Sequence, residues 1–218
     1  FFLGKCRVEN AIVHHCDVRG DELKQQGDIV TVNGGELTLI QDERFEILDS
    51  LLLKTLVHNN SHDPAQPEVF AIVNTIALDY ANIHGTTTQS CFLEPLATVD
   101  LSVCRRCHIG AFSYVQAGEI RDAIIEPGRI WIKAEGAFEF SYTYPGEVLS
   151  RYISFSKGQQ PGGKLLDFLR RYDDVFASDE PLDHEALTIP TGASISPYAV
   201  IKGECDIGDN VMISQRAY

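Results

Sequence analysis

Isoleucine returns at every sixth position over the last thirty residues, at Ile189, Ile195, Ile201, Ile207 and Ile213. The blocks read IPTGAS, ISPYAV, IKGECD, IGDNVM and ISQRAY. The fifth residue of each is small or short: Ala193, Ala199, Cys205, Val211 and Ala217. A helical face repeats about every 3.6 residues and a strand face about every 2, so neither gives a period of six. A short strand-and-turn unit repeated along a solenoid does. One block cannot bury an apolar side chain alone. Stacked on the next coil, it forms a continuous column of like residues, tied by backbone hydrogen bonds between coils. Isoleucine, being β-branched, suits the extended inward position. The small residue belongs at a corner where a bulky group would not fit.

Two weaker stretches share this register. Near the start, Cys6, Ile12 and Val18 are six apart, with Cys16 in the small position. In the middle, Ala97, Val103, Ile109 and Val115 repeat the spacing, with Cys107 and Ser113 small and Gly110 after Ile109. Leu101, Glu119 and Glu22 break the small-residue preference.

These blocks resemble those of the hexapeptide-repeat transferases, strongly over 189–218 and in part over 97–118. The resemblance implies a mainly β fold, a left-handed parallel β-helix of triangular cross-section with helical and α+β insertions. Its hand departs from the right-handed rule for parallel crossovers and follows from the resemblance alone. The resemblance also implies transfer of an acetyl or other acyl group from an acyl-CoA co-substrate, such as acetyl-CoA. The acceptor would be a hydroxyl or amine of a small sugar or amino-acid-like molecule, and the assembly a homotrimer with sites between solenoids. A non-catalytic β-helix scaffold or binding module is the rival reading, because fold does not dictate function. A γ-carbonic-anhydrase-like metalloprotein is a further one. That family binds its metal through histidines of which two lie five residues apart, and no two histidines here have that separation.

Five segments follow from this reading: repeats over 1–23, a helical hairpin over 41–85, repeats over 91–127, a strand-and-helix insertion over 128–180, and strong repeats over 187–218. In the hairpin, Phe45, Leu48, Leu52 and Leu56 make one apolar stripe. Val69, Val73, Ile76, Tyr80 and Ile83 make a second, with Gly85 as its stop. In 128–180, IWIKAE, AFEFSYTY and SRYISFS alternate as strands do, and a helix is expected over 164–176. The chain ends at Tyr218 inside a repeat block with no covering segment after Ile213, so further coils are expected.

The charge balance bounds the partners. Eighteen Lys+Arg face 31 Asp+Glu, a formal net charge of −13. That argues against binding nucleic acid or an anionic membrane, both of which want a basic face. No apolar run approaches the length of a membrane-spanning helix, and the start FFLGKC does not read as a signal peptide. Cysteines at small inward positions would be reduced, which points to the cytoplasm.

Candidate chemistry is sparse. Cys104-Arg105-Arg106-Cys107-His108 matches the C-x-x-C-H haem-attachment pattern. Cys107 falls at a small inward position, however, so a packed structural cysteine is preferred, and no bound haem or metal is expected. His58, His62 and Asp63 have metal-like composition, but a polar loop has the same look. No phosphate-binding, dinucleotide-binding, serine-hydrolase or zincin motif is present. Asn33 before Gly34-Gly35 reads as a turn. The family resemblance implies a catalytic histidine on a loop beside the coils, acting as general base on the acceptor. His84, between the second apolar stripe and a Thr-rich run, is the first choice; His108 and His184 follow.

Overall fold

The computed structural model describes residues 2–3, 5–20, 23–59, 65–134, 136–149, 151, 190–196, 199, 201–203 and 205–214. Three sheets, of nine, seven and eight strands, enclose one interior. Each coil gives a short strand to each sheet, and strands of successive coils pair in parallel. Two hairpins break the rule, Ile29–Val32 with Gly35–Thr38 and Arg129–Ala134 with Phe138–Thr143. The first turns on Asn33 and Gly34, both at positive φ, the conformation that two-residue hairpin turns demand. Among the described residues the one helix is Gly146–Leu149.

The interior repeat is finer than the isoleucine blocks. Through the middle coils the residues whose side chains fill the core are Ile72, Ala77, Ile83, Thr88, Leu93, Val99, Cys104, Ile109, Val115, Ile120 and Ile125. The steps between them run five, six, five, and a full turn from His84 to its partner Asp100 takes 16 residues. Three columns result: Ile72–Thr88–Cys104–Ile120, Ala77–Leu93–Ile109–Ile125 and Ile83–Val99–Val115–Trp131. Small residues close the corners, as in Ser50, Thr75, Cys91 and Cys107. At one corner the coils touch backbone to backbone: a Cβ on Gly110 would lie 2.5 Å from the Pro127 nitrogen.

This rhythm corrects two expectations. In the middle stretch Ile109 and Val115 point inward, but Val103 sits half-buried and Cys104 takes its place. In the first stretch Val8, Val13 and Val18 fill the core while Ile12 is 42% exposed. The helical hairpin over 41–85 is absent. Those residues form the strands Arg44–Leu48, Leu51–Leu53, Leu56–His58, Val69–Val73, Ile76–Ala77 and Asn82–His84, which are coils of the solenoid. The cause is visible in the burial. Ile47, Leu52 and Val57 alternate with half-exposed apolar neighbours such as Leu48 and Leu56, and outward Val69 and Ile76 fill out what looks like a helical stripe. The expected helix over 164–176 lies outside the described residues.

The C-terminal isoleucines behave as expected. Ile201, Ile207 and Ile213 are buried, and Ile195 packs against the core. Their coil does not follow the middle coils in space. Ile201 pairs with Phe2, Ile207 with Val8 and Ile213 with Val13, so this segment stacks beneath the first coil. Ser194–Ile195 stacks beneath Met212–Ile213 in turn. The amino-terminal strand is therefore flanked on both sides, by Asp17–Arg19 and by Ile201–Lys202.

Candidate functional site

The nine-stranded sheet carries His84. It ends the strand Asn82–His84 rather than a helix, and its side chain points out because Ile83, one residue before, points in. Parallel register then aligns outward residues of successive coils. Arg19, His58, His84 and Asp100 occupy one column, with His58 paired to His84 and His84 to Asp100. The His58 and His84 rings stack at 5.1 Å with 7° between their planes. On the other side, His84 Nδ1 lies 2.8 Å from Asp100 Oδ1. The second carboxylate oxygen, Asp100 Oδ2, accepts a hydrogen bond of 2.7 Å from the Tyr114 hydroxyl, one coil further. Burial first, then the Asp100 carboxylate, pushes the Tyr114 phenol up to about 12, so Tyr114 stays a donor. An ionised carboxylate only accepts, so in the neutral ring Nδ1 carries the proton and Nε2 the free lone pair. Nε2 has no partner among the described residues. This is the arrangement a histidine base needs: one nitrogen held and oriented, the other open.

A second histidine–carboxylate pair lies on the eight-stranded sheet. His108 Nε2 is 2.8 Å from Glu94 Oε1, and Glu94 Oε2 accepts from the Ala111 N–H at 2.9 Å. His108 lines an open groove of about 910 Å³ together with Phe92, Ile76 and Ile12. Arg106, Asp49 and Asn74 line it too. His84 lines none of the four described cavities, and faces outward from the nine-stranded sheet. The largest of the four described cavities and the His84–Asp100 dyad are thus on different faces. The dyad weighs more, because volume alone performs no chemistry.

The other expected residues fall as follows. Cys104 and Cys107 are both buried inside the coil, while His108 points out to Glu94. The C-x-x-C-H spacing is a turn of solenoid with its thiols packed inward. The Cys104 thiol, bonded to Cys107 and buried, keeps its proton well above the usual thiol range. His14 and His15 stack on each other at 4.3 Å, and His14 Nδ1 meets the Ser214 hydroxyl at 2.7 Å. His62 and His184 lie outside the described residues. Among the described residues no group of three or more His, Cys, Asp or Glu could hold a metal ion. No helix there is long and apolar enough to cross a membrane. Sequence reading picked out His84 and missed Asp100 and Tyr114, because their partnership appears only once a coil of 16 residues is known.

The class follows from fold and comparison together. Residues 35–157, more than half of the chain, match the family described as hexapeptide repeat including loop. The chain belongs to the hexapeptide-repeat transferase family. It is also similar to a crystal structure described as that of a "putative acetyltransferase" from Desulfovibrio desulfuricans G20, with 45% identity and a TM-score of 0.72. That match covers 100% of this chain and 45% of the other, so the chain spans less than half of that relative's length. No curated protein matches it.

Proposed function

We propose that this chain is part of an acetyltransferase that takes an acetyl group from acetyl-CoA, its acyl-CoA co-substrate, to a hydroxyl or amine of a small sugar-like or amino-acid-like acceptor. The observation that carries the reading is the His84–Asp100 pair, a base with its orienting carboxylate on a solenoid of this family. His84 Nε2 takes the acceptor proton as the oxygen or nitrogen attacks the thioester carbonyl. Coenzyme A leaves as the thiol, and Asp100 stabilises the imidazolium formed in between. The likeness to the Desulfovibrio structure supports the acetyl donor.

The same proposal includes left-handed winding, a homotrimer and a cytoplasmic setting. The homotrimer rests on the family likeness and on an outward column of the eight-stranded sheet. Met212, Ile12, Leu51, Ile76, Phe92, His108 and Ile124 stand there in register, with Ile124 77% exposed. A neighbouring solenoid would supply the cleft that His84's face lacks. The six cysteines are free, which favours a reducing compartment.

Isothermal titration of the complete protein with acetyl-CoA separates this reading from a non-catalytic scaffold. Saturable one-to-one binding per chain is the expected result. Absence of binding at millimolar acetyl-CoA would leave the solenoid as a scaffold. A second catalytic reading, with His108 as base and Glu94 as its orienter, is favoured by the groove around them. His108→Ala distinguishes it: activity is retained if His84 is the base and lost if His108 is.

A further inference from the structure

The outward column of the nine-stranded sheet holds more than a dyad. Gln116 continues the line of His84 and Asp100 at the same coil spacing, and Tyr114 stands two residues before it on the same face. Tyr114's hydroxyl is 2.7 Å from Asp100 Oδ2 and 3.2 Å from Gln116 Oε1. A phenol has one proton to give. With that proton on the charged carboxylate, the shorter contact, the Gln116 amide satisfies the phenol oxygen once its O and N are exchanged so that NH₂ faces Tyr114. The result converges on Asp100: Gln116 donates to Tyr114, Tyr114 to Asp100 Oδ2, and His84 Nδ1–H to Asp100 Oδ1. We propose that Tyr114, itself held by Gln116, is a positioning residue that fixes the Asp100 carboxylate and through it the Nδ1–H tautomer of His84. The proposal rests on the reading of His84 as base.

Three features support it. Asp100's carboxylate is only partly buried, with 16% of its side chain exposed, so burial alone does not immobilise it. Without Tyr114 it can rotate about its χ2 torsion, where rotation is soft. Second, both oxygens are engaged in opposite directions, and a carboxylate clamped at both ends has one orientation. Third, the other groups facing His84 cannot do this. His58 meets it face to face by stacking, and Arg19 beyond His58 is turned to Asp17 at 2.8 Å. Asn82 and Thr98, on the paired strands, show no bond to His84 or Asp100 among those described. Tyr114 is the group that reaches the free oxygen of Asp100.

The test reads the ring directly and the rate separately. Nitrogen-15 labelling of histidine in the complete protein reports the tautomer of His84, assigned by comparison with His84→Ala. Tyr114→Phe keeps the ring and removes the donor. It is expected to leave the melting temperature within about 2 °C of wild type. The Nδ1–H signal should broaden or be lost as a second tautomer becomes populated, and kcat should fall roughly tenfold with the KM for acetyl-CoA within twofold. Asp100→Asn is the second variant: its amide can donate to Nδ1 and should flip His84 to the Nε2–H form with a larger loss of rate. An unchanged Nδ1–H signal in Tyr114→Phe overturns the positioning role. A changed signal with an unchanged rate upholds it and overturns His84 as base.

Discussion

Replacing Ile109 by Ala tests the inward rhythm of the coils most sharply when set beside Val103→Ala. Ile109 is fully buried in the column between Leu93 and Ile125, whereas Val103, half-buried, faces outward one residue before the core residue Cys104. Ile→Ala removes three carbons from the core, worth about 2.4 kcal/mol at about 0.8 kcal/mol each. The residual cavity adds roughly 1 kcal/mol, because the coils above and below, held by backbone hydrogen bonds, cannot close onto it. The total of about 3 kcal/mol corresponds to a fall of roughly 6–12 °C in melting temperature for a chain of this size. Val103→Ala removes half-exposed methyl groups and should cost less than about 1 kcal/mol. Urea unfolding followed by circular dichroism gives both values under one set of conditions. If Val103→Ala proves as costly as Ile109→Ala, the interior follows six-residue blocks and the five-five-six rhythm is wrong.

Other consequences are local. Thr88 stands inward between Ile72 and Cys104 with a buried hydroxyl that has no partner among the described residues, so Thr88→Val should stabilise the fold by about 1 kcal/mol; calorimetry showing a loss would contradict this. Gly110→Ala places a methyl against the Pro127 and Ile125 backbones and should cost about 1–3 kcal/mol, seen as a lower urea midpoint. Burial raises the Cys16 thiol from 9.0 to about 12. A raised folded-state value means the stability it confers is complete below pH 9 and is lost as pH climbs toward 12. Urea titrations from pH 8 to 11 should show that decline, and Cys16→Ala should make it shallower, the rest belonging to the other raised thiols and Tyr114.

How much of this was legible in the residues depends on what each signal averages over. The C-terminal isoleucines gave both solenoid and family, since six-residue steps from Ile201 to Ile213 hold in the structure as in the text. The middle coils hid their rhythm because a turn there is sixteen residues rather than three blocks of six. Three such blocks set His84 against Ser102, two residues past its true partner Asp100. The coils at 44–59 and 65–84 look helical in the sequence because outward Leu56, Val69 and Ile76 are apolar as well. Binary patterning marks a face only when the other face is polar. His84 could be singled out as a residue type at a boundary. Its chemistry could not, because Asp100 and Tyr114 come to it through stacking of coils and not through nearness in the chain. The stacking of the C-terminal segment beneath the first coil, residue 207 on residue 8, has no local signal at all.

The proposed role of His84, base of an acetyl transfer on this solenoid, is open to direct assay. Release of free coenzyme A thiol from acetyl-CoA, followed with a chromogenic disulfide across a panel of sugar and amino-acid acceptors, measures it directly on the complete protein. With His84 as base, release is acceptor-dependent and falls by about 100- to 10,000-fold in His84→Ala, with acetyl-CoA binding and melting temperature unchanged. Undiminished release by a correctly folded His84→Ala protein would contradict it.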